Sequence, residues 1–373
     1  MCTDERSGRG RWPYDGGGTV TGGLYARIVN AVPPLDVEVD IPAGKVVAVM
    51  GPNGAGKSTL LNVVAGLLRT DGSSTLTIDG RRLIGEHVDV PAHQRGVALL
   101  AQDPGLFPHM TVRQNVGFAP AARRESRSRT REQVQTWLDA TGTGELADRR
   151  PHQLSGGQAQ RVAIARALAA QPEVLLLDEP LRALDVDAAA RIRALLRGLL
   201  RERQQTTLFV THDIVDAVTL ADQLIILDQG RMVESGGVRE VLASPRSRFA
   251  ATLAGLSLIE GRWDGKNLQS ALGALTGVSE GDLDAGCNAV AVFAADSASV
   301  FLTDPAGGSP RNILRARVLQ VEPRGDHARI RCDAAGVDVS AEITWDSVRE
   351  LPVDVGAEVY LTIKAGDMRI YPV

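Results

Sequence analysis

Three observations predict an α/β fold with a largely parallel sheet, followed by a smaller all-β domain. Between residues 24 and 257 short apolar runs alternate with helical stretches. A glycine-rich, phosphate-cradling pattern stands where one of those runs meets a helix. Beyond residue 257 the texture changes to apolar–polar alternation with a period of two.

At 373 residues the chain exceeds one compact core, so two or three domains are expected. Residues 1–23, rich in Gly, Arg and Thr and without periodicity, read as a disordered tail. Strands are expected over 45–50, 97–101, 174–177, 207–211 and 224–227, and helices over 57–68, 158–170, 188–203 and 214–221. A helical subdomain is expected at about 103–170. Residues 258–308 read as a linker with partial β character, because Gly and Asp clusters interrupt the strand-like runs at 290–293 and 299–302. Over 309–373, Val337, Val339, Ala341 and Ile343 alternate with polar residues, as do Val359, Leu361 and Ile363, which predicts a small antiparallel OB-like barrel.

Composition excludes some function classes. A formal net charge of −4 gives no basic field, so nucleic acid is not expected as a partner. Cys2, Cys287 and Cys332 have no metal-ligand spacing. No run approaches the roughly 18 apolar residues of a spanning helix, so contact with a membrane is expected only through a partner protein.

The chemistry is carried by short motifs. Gly51, Pro52, Asn53, Gly54, Ala55, Gly56, Lys57, Ser58 and Thr59 fit the P-loop pattern, between an expected strand and an expected helix. Its glycines let backbone N–H groups curl around phosphate oxygens, Lys57 reaches the terminal phosphates, and Ser58 offers a hydroxyl to Mg²⁺. The apolar run 174–177 ends in Asp178 and Glu179, which a parallel strand would deliver to the carboxyl edge of the sheet. Asp178 is the expected Mg²⁺ ligand, and Glu179 the group that orients and deprotonates the attacking water.

Leu154, Ser155, Gly156, Gly157 and Gln158 resemble the signature motif of the ABC ATPase family. The resemblance implies a P-loop NTPase of ABC type whose signature completes the ATP site of a second copy, so a homodimer with two ATP molecules is expected. Gln102 resembles the Q-loop glutamine that reaches Mg²⁺, His212 the switch histidine and Asp185 the D-loop aspartate. There are two departures. Arg182 stands where such proteins commonly carry serine, so contacts across the dimer are expected to differ. The stretch 28–35 lacks an aromatic residue to stack on adenine, Tyr25 being the nearest.

Within the family, residues 103–112 resemble importer subunits, with Phe107, Met110 and Val112 as a socket for a helix of the membrane partner. Ser309, Arg311, Asn312 and Lys364 resemble the molybdate-binding, Mop-like regulatory domain of molybdate importer ATPases. The implied function is ATP-driven uptake of molybdate or tungstate, with sulfate, iron, polyamine or sugar import as the alternative and a non-transport ATPase as the remaining class. The implied ligands are ATP, Mg²⁺ and a regulatory molybdate. The implied partners are a second copy, transmembrane permease subunits and, indirectly, a substrate-binding protein, at the cytoplasmic face of the membrane.

Overall fold

A computed structural model describes residues 22–182, 184–305 and 310–373. The expected tail at 1–23 and Ser309 therefore lie almost wholly or wholly outside the described residues. The chain divides between Arg239 and Glu240 into two compact units.

The first unit holds an eleven-stranded sheet. Its strands are β1 (Gly23–Asn30), β2 (Leu35–Pro42), β3 (Val46–Met50), β4 (Thr75–Ile78), β5 (Arg81–Gly85), β6 (Val88–Asp89), β7 (Val97–Leu100), β8 (Val174–Asp178), β9 (Thr206–Val210), β10 (Gln223–Asp228) and β11 (Arg231–Gly237). They lie in the order β6-β5-β4-β1-β2-β11-β10-β3-β9-β8-β7. From β10 to β7 every neighbour is parallel. Strands β3 and β9 are buried at every residue, as continuous apolar runs covered on both faces must be. The β1/β2 hairpin alternates buried and more exposed residues, as antiparallel strands with one covered face do.

The helices follow the expected order. They are α1 (Lys57–Ala65), α2 (Val112–Val116), α3 (Phe118–Ala122), α4 (Arg127–Ala140), α5 (Gly156–Ala169), α6 (Val186–Glu202) and α7 (Ile214–Leu220). Helix α1 stops short of the expected residue 68 because Gly66 takes a left-handed φ of 80° and returns its N–H to Asn62 and Val63. The buried Arg95 guanidinium donates to the carbonyls of Val63 and Val64 at 2.7 and 3.2 Å, satisfying that helix end. Helix α6 buries Ile192, Leu196 and Leu200, one stripe at i, i+4 and i+8.

The second unit departs from expectation. After α8 (Val238–Ala243) and α9 (Arg248–Leu253) come β12 (Leu256–Trp263), β13 (Leu268–Ser270), β14 (Gly273–Leu275), β15 (Val278–Ser279), β16 (Asn288–Ala294), β17 (Ala298–Phe301), β18 (Asn312–Arg324), β19 (His327–Ala334), β20 (Val337–Thr344), α10 (Trp345–Glu350), β21 (Glu358–Ile363) and β22 (Arg369–Pro372). They form a six-stranded sheet, β14-β13-β12-β16-β22-β15, and a five-stranded sheet, β17-β21-β18-β19-β20. Residues 258–301 of the expected linker are thus part of these sheets. Strand β16 is apolar on both faces: Ala289, Ala291 and Phe293 join the core shared with the five-stranded sheet, while Val290 and Val292 pack with Ala251, Leu258 and Tyr371. Such a strand shows no alternation, so the sequence gives it only as the short strand-like run at 290–293. The chain's last strand, β22, pairs with β16 and β15, so the sheet begun at residue 256 is completed only at the C-terminal end.

Candidate active site

Parallel register brings the site together. The strands β3, β9 and β8 are adjacent, and Val210 lies beside both Val49 and Asp178. The loop after β3, the acids ending β8 and the histidine after β9 therefore meet on one carboxyl edge.

The P-loop is held by glycines. A Cβ at Gly51 would lie 2.0 Å from the Leu227 carbonyl oxygen, and Gly54 and Gly56 have φ of 81° and 97°. Gly56 is the N-cap of α1, and no side chain caps that helix. The first-turn N–H groups therefore point at the loop without a side-chain acceptor, the donor set an anion requires. Lys57 Nζ donates to the carbonyls of Gly51 and Pro52, both at 2.8 Å, and so arches over the loop. Burial lowers the Lys57 pKa, and the carboxylates of Glu179 and Asp178 oppose that shift. Burial raises the Asp178 carboxyl, which accepts a hydrogen bond from the Ser58 hydroxyl. A carboxylate and a hydroxyl oxygen already joined, beside phosphate donors, are the hard oxygen ligands that Mg²⁺ selects.

Glu179 follows β8 in the left-handed region, at φ 47°, with its N–H donating to the Val210 carbonyl at 2.9 Å. Its carboxylate is only 15% exposed. Oε2 accepts from Arg182 Nη1 at 2.8 Å, and Oε1 lies 3.6 Å from His212 Nδ1. Behind the histidine, Arg193 Nε donates to Asp216 Oδ1 at 2.7 Å and Thr211 Oγ1 to Asp216 Oδ2 at 3.0 Å, fixing the β9–α7 turn. Gln102 is exposed just beyond β7, the strand next to β8.

The signature residues face elsewhere. Ser155 caps α5 by accepting from Gln158 N–H at 3.3 Å, and Gln158 Oε1 accepts from Ser155 N–H at 3.0 Å. Asp185 caps α6 through Ala188 N–H at 2.7 Å. Ser155, Gly156, Gly157, Gln158 and Asp185 line one cavity, whereas Glu179, Arg182 and His212 line another, and the two share only Leu184. No P-loop residue lines the signature cavity. Within one chain the structure therefore groups Lys57, Ser58, Asp178, Glu179 and His212, and leaves Ser155–Gln158 apart from them.

A profile described as ABC transporter matches residues 35–182, and one described as TOBE domain matches residues 308–370. The chain is 46% identical to the molybdenum import ATP-binding protein ModC of Mycobacterium tuberculosis, across 94% of this chain and 97% of that one. The chain belongs to the ABC transporter family. It is 34% identical to the molybdate/tungstate import ATP-binding protein WtpC of Pyrococcus abyssi, across 90% of this chain and 95% of that one. Among solved structures, the dimeric ATP-binding cassette MJ0796 in a post-hydrolysis state bound to ADP and Pi superposes with a TM-score of 0.52 and 31% identity. It covers 58% of this chain and 99% of that one.

As an ABC ATPase, the chain carries supports that motif reading misses. Gln160 Nε2 donates to the Pro180 carbonyl at 2.7 Å, tying the signature helix to the turn after Glu179. Its only signal is a polar residue at a core-facing position of α5. Arg166 donates to the carbonyls of Gly105 and Pro104 and covers the Phe107 ring. Asn115, fully buried, accepts from Phe107 N–H at 2.8 Å and donates to the carbonyls of Phe107, Met110 and Thr111. These bonds shape the segment after Gln102. Val112, expected in the socket there, is instead wholly buried in the helical subdomain, while Phe107 packs at 4.6 Å against Phe118, which is 44% exposed. Tyr25 lies in β1 with its hydroxyl on Glu38.

In the second unit, Asn312 is not available to an oxyanion. Its amide donates to the carbonyls of Thr276 and Ile363 at 2.9 and 3.2 Å, and its Oδ1 accepts from Thr276 N–H at 2.8 Å. Both amide hydrogens are used, which corrects the expected role. Arg311 and Lys364 are exposed and follow on either side of the paired residues Asn312 and Ile363.

Proposed function

We propose that this chain is the ATP-hydrolysing subunit of an importer for molybdate or tungstate, working as a homodimer on permease subunits at the cytoplasmic face of a membrane. The observation that carries the cargo assignment is the 46% identity to a molybdenum import protein, which runs through both units rather than the ATPase part alone. Among the described residues no helix is long and apolar enough to cross a membrane, which agrees with a subunit acting through membrane partners.

In this reading the P-loop amides and Lys57 hold the ATP phosphates. Ser58 and Asp178, with Gln102, would hold Mg²⁺, which neutralises charge developing on the transferred phosphoryl group. Glu179 accepts the proton of the attacking water, and His212 reaches the γ-phosphate. Ser155–Gln158 and Asp185 of a second copy complete the site, because one chain keeps its signature cavity away from its own P-loop. Closure of the two copies on ATP drives the permease outward to meet a substrate-binding protein, and hydrolysis resets it.

Arg311 and Lys364, with Ser309, are the candidate oxyanion donors of the tail, and an anion held there would couple solute supply to ATP turnover. The test titrates the full chain with molybdate, tungstate and sulfate and follows ATPase in the assembled transporter. Tight binding of the first two without sulfate supports both the cargo and the sensor. Selectivity for sulfate or another solute moves the assignment to that importer class, and an ATPase rate indifferent to saturating molybdate removes the regulatory role.

A further inference from the structure

Arg182 places its guanidinium on the carboxylate read as the catalytic base. The turn after β8 returns Arg182 to within three residues of Glu179, where Nη1 meets Oε2 at 2.8 Å. That is a charge-assisted bond onto an acid only 15% exposed, while Arg182 itself is 55% exposed. A pair of this kind contributes little to stability on the exposed side. Its consequence is directional. One oxygen of Glu179 is occupied, and the other lies 3.6 Å from His212 Nδ1, too long for a hydrogen bond, so the histidine does not engage it.

We infer that Arg182 is a positioning residue for ATP hydrolysis: it holds Glu179 by Oε2 so that Oε1 receives the proton of the attacking water. The step balances on that atom. The water proton passes to Oε1, the released O–H pair forms the new bond to the γ-phosphorus, and the bond to the β-phosphate oxygen breaks, its electron pair leaving with ADP. Without the guanidinium the Glu179 side chain regains its rotamers, and the base is aimed for only part of the time. The inference rests on reading Glu179 as the base.

The experiment compares wild type, Arg182→Ala, Arg182→Lys, Glu179→Gln and the Arg182→Ala/Glu179→Gln pair as full chains, with steady-state and single-turnover phosphate release from Mg·ATP. Arg182→Ala should lower kcat on the order of tenfold with KM for ATP unchanged. Arg182→Lys, which keeps a cation in reach, should recover part of the loss. In the Glu179→Gln background Arg182→Ala should add nothing, because the residue acts through the carboxylate. An unchanged or increased kcat in Arg182→Ala, a change confined to KM, or the full loss repeated on top of Glu179→Gln would each overturn the proposal while leaving Glu179 as the base. Near-normal turnover in Glu179→Gln would overturn both.

Discussion

Replacing Glu179 with Gln removes one ionisable oxygen and almost nothing else. The side chain keeps its length, its amide oxygen can still accept the 2.8 Å bond from Arg182 Nη1, and the N–H to the Val210 carbonyl is untouched. No cavity opens and no left-handed residue is added, so the P-loop edge should stay in place. What disappears is the proton acceptor. General-base assistance contributes about 10²–10⁴ in rate, which at 1.36 kcal/mol per factor of ten is roughly 3–5 kcal/mol of barrier. The variant should therefore release phosphate about 10²–10⁴ times more slowly while binding ATP within a few-fold of wild type. Lys57 loses one of the two carboxylates that sustain its charged form, but Asp178 remains. The assay pairs single-turnover phosphate release with ATP calorimetry and the molar mass in solution with and without Mg·ATP. The slow variant should accumulate as an ATP-bound dimer. Turnover within threefold of wild type, or a rate loss matched by an equal loss of ATP affinity, would refute the assignment of Glu179 as base.

Two further outcomes follow from burial and charge. Asp178→Asn should abolish Mg²⁺-dependent hydrolysis yet raise the nucleotide-free melting temperature at pH 7. Burial lifts the folded Asp178 carboxyl above its ordinary value, so the folded chain holds that proton longer than the unfolded one. Stability then falls as pH rises from the ordinary carboxylate value through the raised one, and the cost is fully present above the raised value. The gain from Asn should vanish below the ordinary carboxylate range, and a lower melting temperature at pH 7 would contradict the argument. Arg95→Met should destabilise the first unit by about 1–3 kcal/mol, read as a lower urea midpoint, because the Val64 and Val90 carbonyls lose their buried donor, whereas Val63 keeps the Gly66 N–H and half-exposed Asp89 keeps solvent and Arg69.

What the sequence makes legible here is what is local. The P-loop, Asp178, Glu179, the Ser155–Gln158 capping box and Asp185 are contiguous patterns whose geometry is set by the turn or helix they start. The contacts that aim them are not local. Gln160 reaches Pro180, Arg193 reaches Asp216, and Arg95 reaches Val63, each across separate elements, so the partner exists only once the helices pack on the sheet. Arg182 and Glu179, three residues apart, lie between these cases: the spacing was visible, but a turn rather than a helix brings the charges together. Asn312 misled for a different reason. It enters only with the Ser-x-Arg-Asn pattern that resembles a Mop-like domain, whereas its burial at the β18–β21 pair makes it a buckle between strands.

The stretch between β8 and α6 also borders two separate cavities. Glu179, Arg182, Leu184 and Asp185 occupy one short stretch between β8 and α6, yet they serve two cavities. Asp185 caps α6 on the signature side, Arg182 and Glu179 line the hydrolytic side, and Leu184 borders both, 3.3 Å from where a Cβ on Gly157 would stand. Asp185 on the Ala188 N–H and Arg182 on Glu179 stand three residues apart in sequence and face different cavities. In the proposed dimer, a second copy entering the signature cavity would therefore act within three residues of the guanidinium that holds Glu179.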